Sequence, residues 1–103
     1  MQFDFGVRTG DIETAKQWVQ RLTGLIATEK YSTDLGGRFY SFSGHDGETV
    51  DLVQNLDLFD NSPMIDGLET WGVVLFVHDA LIESKVAKAL LHDESHFVLI
   101  KKT

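Results

Sequence analysis

The sequence predicts an α+β fold: a mainly antiparallel sheet with two helices packed on it, in the order βαβββ then βαβ. Two observations carry that reading. Short runs of alternating apolar residues are separated by turn chemistry, as strands are. Two other segments repeat their apolar residues at helical spacing. The chain has 103 residues, 43% of them hydrophobic, which predicts a single domain over 1–103 with one core.

FDFGVRT (3–9) is the first strand, with Phe3, Phe5 and Val7 on one face. Asp11 is an N-cap, and Ile12, Ala15, Trp18, Val19 and Leu22 form the apolar stripe of a helix from Ile12 to Thr23. Gly24 stops it. Trp18 reads as a core anchor. LIATEKYS (25–32) is the second strand, and Asp34-Leu35-Gly36-Gly37 is a turn. RFYSFSG (38–44) is the third strand, with Phe39, Ser41 and Ser43 opposite Arg38, Tyr40 and Phe42. His45-Asp46-Gly47 is a hairpin turn, because Asp-Gly favours positive backbone angles. ETVDLVQN (48–55) returns antiparallel, with Val50, Leu52 and Gln54 on one face. Residues 56–69 form a long acidic loop containing the only proline, Pro63. TWGVVLFVH (70–78) is a near-continuous apolar strand, and such strands are usually central. Asp79 is placed to cap a second helix over 80–92, with Ile82, Val86, Ala89 and Leu90 as its buried stripe. HFVLIKK (96–102) is the last strand.

Charge narrows the function. The formal net charge is −7, which argues against nucleic acid or an anionic membrane as a direct partner, since both need clustered Lys and Arg. Arg38 is followed by no Lys or Arg until Lys85, and between them stand Asp46, Glu48, Asp51, Asp57, Asp60, Asp66, Glu69, Asp79 and Glu83. That run predicts a region of negative field suited to a basic partner. The absence of cysteine excludes disulfides and thiolate metal sites. The N-terminal residues have no export-signal pattern and no apolar run spans a membrane, so the cytosol is the expected location.

Catalytic patterns are sparse. There is no Gly-x-Ser-x-Gly elbow and no phosphate-loop motif. His92 and His96 are four apart but straddle a helix–strand turn, with no third ligand evident. Carboxylates are plentiful, yet nothing singles out an acid–base pair.

FDFGVRTGDIETAKQWVQRLTGLI and HDGETVDLVQN resemble the opening and closing segments of a module in the vicinal oxygen chelate superfamily, which includes glyoxalases and bleomycin-resistance proteins. TWGVVLFVHDALIESKVAKALL resembles the start of a second module, whose last two strands have no counterpart in the sequence. The resemblance implies metal-ligand positions at Asp4 and Asp51, but the third matching position falls near Gly72, which has no ligand atom. No metal and no cofactor are therefore expected.

Three functions follow, in order of preference. The first is a non-catalytic acidic binding protein, similar in size and charge to the immunity proteins of bacterial toxin systems. It would neutralise a basic toxin such as a nuclease by electrostatic complementarity. Its partner-binding set is Asp46, Glu48, Asp57, Asp60, Asp66 and Glu69 for steering, with Asp51 in the acidic patch and Phe59 and Met64 as apolar anchors. The second, implied by the resemblance, is a drug-type small-molecule binder acting as a homodimer, with a groove lined by Trp71, Tyr40 and Phe42. The third is a metal enzyme using Asp4 and Asp51.

Overall fold

The computed structural model describes residues 1–35, 37–56, 62–63, 65 and 67–103. Its elements are β1 (Phe3–Val7), α1 (Ile12–Thr23), β2 (Thr28–Ser32), a 3-10 turn (Thr33–Leu35), β3 (Gly37–Ser43), β4 (Thr49–Gln54), β5 (Val73–His78), α2 (Lys85–His92) and β6 (Phe97–Lys102). The strands form one six-stranded sheet in the order β2-β3-β4-β5-β1-β6. Every neighbouring pair is antiparallel. The α+β class expected from the sequence is the class observed.

Both helices lie on the same face of this sheet. Ile12, Ala15 and Val19 of α1, and Val86, Ala87 and Leu90 of α2, share one buried cluster with Phe3, Phe5, Val50, Leu52, Leu75 and Val77. Burying those stripes drives the assembly, at about 1.5–3 kcal/mol per large apolar side chain. Tyr40 and Phe42 belong to the same cluster and are buried beneath α1.

α1 starts and stops where its caps dictate. The Asp11 carboxylate accepts from the backbone N–H groups of Glu13 and Thr14 (both 3.3 Å). Gly24 ends the helix at φ 74°, a left-handed turn that suits glycine. α2 is shorter than its sequence pattern. Asp79 takes φ 58° and turns the chain rather than capping a helix. Ala80 then pairs with Met1 through two backbone bonds. Ser84, not Asp79, is the N-cap: its Oγ accepts from the Ala87 N–H (3.2 Å). Ile82 consequently stays outside the helix, 82% exposed instead of in the buried stripe.

The second face carries a smaller cluster of Phe39, Val53, Leu68 and Val74, with Ile65, Trp71 and Phe76 against it. Trp71 lies flat over Gly6, where a Cβ would come within 2.1 Å of the indole ring. Glycine in this strand therefore serves a close approach. Asn55 ties the end of the β4–β5 connection down. Its side-chain amide donates to the carbonyls of Leu68 (2.9 Å) and Trp71 (3.0 Å), and its Oδ1 accepts from the Ile65 N–H (2.9 Å). Among the described residues, no helix is long and apolar enough to cross a membrane.

Candidate functional site

The acids expected to form one negative face are placed differently from one another. Asp57, Asp60 and Asp66, with the anchors Phe59 and Met64, lie outside the described residues. Of the rest, Asp46 is exposed in the β3–β4 turn. Glu69 is exposed in the turn before β5, at the opposite end of that strand from Asp79, and its carboxylate accepts from the Gly67 N–H (2.8 Å). That bond holds the Glu69 carboxyl below its ordinary range.

Glu48 requires a correction. It is 1% exposed and cannot present its charge to a partner. Its Oε2 accepts from Ser84 Oγ (2.9 Å) and its Oε1 from the Asp46 N–H (3.2 Å). The side chain folds back over Gly44, where a Cβ would sit 1.6 Å from Oε1. Glu48 is thus an internal strut between the β3–β4 turn and the start of α2.

Asp51 points to the face opposite the helices and lies 3.2 Å from His78 Nε2. His78 Nδ1 lies 3.2 Å from Gln2 Oε1, and Gln2 Nε2 donates to Asp4 (2.9 Å). Asp4 and Asp51 are both level with Phe76, so β5 stands between them. Their backbones are then about 9–10 Å apart, two strand spacings. Among the described residues no group of three or more His, Asp or Glu is placed to hold a metal. The groove expected from Trp71, Tyr40 and Phe42 does not form, because Trp71 packs on one face and the other two on the opposite face.

One end of the sheet gathers features the sequence kept apart. The Ser84–Glu48 bond joins the β3–β4 turn to residues 79–84. Asp46 flanks this joint on one side, and Asp79 and Glu83 on the other; all three are exposed. Between the last two lie Leu81, 59% exposed, and Ile82, 82% exposed. The segment is held: Ser84 N–H donates to the Leu81 carbonyl (3.0 Å), and Ala80 and Met1 exchange backbone bonds. Single exposed apolar residues such as Ile26 are ordinary. Two adjacent ones on a braced loop, with Asp79 and Glu83 beside them, make this end the candidate site. Periodicity missed this site because Ile82 falls in phase with the stripe of α2.

A second charged group lies on the far side of α1. Glu13 accepts the Tyr40 hydroxyl and pairs with Lys16 (3.1 Å) and Arg38 (3.0 Å). The Tyr40 bond, then Lys16, hold the Glu13 carboxyl below its ordinary range, and the same bond raises Tyr40. Arg38 also pairs with Glu29 (3.2 Å), so two cations and two anions offset one another here.

No family model, no curated protein and no solved structure matches this chain.

Proposed function

We propose that this is a non-catalytic acidic binding protein that docks a basic protein through the Leu81–Ile82 end of its sheet. The observation that carries the reading is the exposure of both apolar side chains between Asp79 and Glu83 on a segment braced by Glu48. Anchors of this kind supply affinity once water is excluded, and a surrounding charge of one sign speeds the approach of an oppositely charged partner. Lys85 is the nearest cation along the chain, against three acids. The overall charge of −7 acts in the same direction at longer range. The partner class favoured by this chemistry is a cationic enzyme, such as a nuclease toxin, whose substrate-binding face the complex would cover.

The test is affinity capture from the source cell, with the captured protein then purified and assayed. We expect one basic protein, released by roughly 0.5 M salt, whose activity falls on complex formation. Ile82→Asp and the pair Asp79→Lys, Glu83→Lys should abolish capture. Capture that all these variants retain would refute the proposed surface.

A further inference from the structure

We propose that the cleft between the end of α1 and the turn leading into β6 binds a small aromatic carboxylate. The cleft holds about 190 Å³ and is lined by Trp18, Arg21 and Leu22 of α1 and by Asp93 and His96 of the turn. The three α1 residues meet there because positions three and four apart share one side of a helix. Small-molecule sites usually measure about 300–1,000 Å³, so this one has room for a single ring.

Trp18 and His96 supply the flat wall. Their ring centroids are 4.1 Å apart at 48°, and Leu22 adds aliphatic surface. Both aromatic residues are half-buried, so each keeps part of its ring open to a ligand. Asp93 fixes the histidine. Its carboxylate lies 2.8 Å from His96 Nδ1, and its backbone carbonyl accepts from the N–H groups of His96 (3.2 Å) and Phe97 (2.9 Å). The wall is thus set before a ligand arrives, which lowers the ordering cost of binding.

Charge selects the ligand. Among the described residues that line the cleft, Asp93 is the one acid, and it is engaged with His96. Arg21 is exposed and, among the described residues, has no acid within ion-pair distance. Its planar guanidinium can bond a carboxylate through two parallel N–H groups. A flat apolar body with one anionic end satisfies both the rings and this fork. A cation would meet Arg21 with no free acid beside it, and a neutral ring would leave the guanidinium unused. The net charge of −7 opposes anions at long range, so affinity rests on these contacts alone.

Heteronuclear NMR of the intact labelled chain tests this, because its two tryptophans pack on opposite faces of the sheet. Benzoate is the probe. It should move the Trp18 indole N–H resonance saturably, with a Kd on the order of 1 mM, and leave that of Trp71 in place. Benzamide, which lacks the charge, and acetate, which lacks the ring, should each bind at least about tenfold more weakly. Arg21→Gln should weaken benzoate binding about tenfold with an unchanged melting temperature, since Arg21 makes no ion pair among the described residues. No saturable Trp18 shift at about twenty times the expected Kd overturns the proposal. So does equal binding of benzamide or acetate, or benzoate binding that Arg21→Gln retains in full. The Leu81–Ile82 surface precedes α2 and this cleft follows it, so the two sites are tested independently.

Discussion

Ser84→Ala is the most informative single change in this molecule. Ser84 is fully buried and does two jobs with one oxygen. It accepts from the Ala87 N–H as the cap of α2, and it donates to Glu48. Loss of an N-cap costs about 1 kcal/mol. A hydrogen bond to a buried carboxylate contributes about 1.5–3 kcal/mol, and its loss takes the Ser84 donor from an oxygen of the buried Glu48. The sum is about 3 kcal/mol, a large part of the stability of a domain this size. At about 4–8 °C per kcal/mol, the melting temperature should fall by roughly 12–24 °C. Urea unfolding of Ser84→Ala, Glu48→Ala and the double variant would measure it. The two residues should show a coupling of about 1–2 kcal/mol. Hydrogen exchange should quicken at residues 80–84 before the core opens. A loss under about 0.5 kcal/mol with no coupling would refute the strut, and with it the braced docking segment.

Three further outcomes follow from other parts of the fold. Gly6→Ala should cost about 1–3 kcal/mol by overpacking against Trp71, and Trp71→Leu should relieve most of that loss, as denaturant midpoints of the single and double variants would show. Asn55→Ala should destabilise by about 2–4 kcal/mol, since the carbonyls of Leu68 and Trp71 both lose a donor; calorimetry measures it, and a change below about 0.5 kcal/mol would show the connection to be held otherwise. Glu13 has a lowered carboxyl value in the folded state, so its contribution is complete above the ordinary glutamate value and is lost as pH falls through the lowered folded one. Tyr40→Phe removes the main cause, and its stability should fall less steeply than wild type between about pH 6 and pH 2.

The sheet was readable in the sequence because alternation and turn residues are local signals. Phe3, Phe5 and Val7 share the core face as expected, and Asp46-Gly47 makes the expected turn with Gly47 at φ 85°. The start of α2 was not readable. Ile82 continues the stripe of Val86 and Leu90 in phase, and Asp79 is as good a cap by composition as Ser84. Only the Glu48 partner, 36 residues away, selects the serine. Strand order was hidden too, because β1 enters between β5 and β6 through pairings that no local pattern encodes. The acidic run was visible as composition, but its geometry was not. Neighbours Asp46 and Glu48 end up one exposed and one buried, while Asp46 and Glu83 reach the same end from distant segments.

The most direct test of the docking proposal is the affinity of the captured basic partner for wild type and for Ile82→Asp, measured at two salt concentrations. Ile82 is 82% exposed, so the variant should melt within about 1 °C of wild type while binding at least a hundredfold more weakly, about 2.7 kcal/mol. Wild-type binding should also weaken as salt rises. Equal affinity of the two proteins, or wild-type binding indifferent to salt, would contradict a docking surface with an apolar centre and an acidic rim.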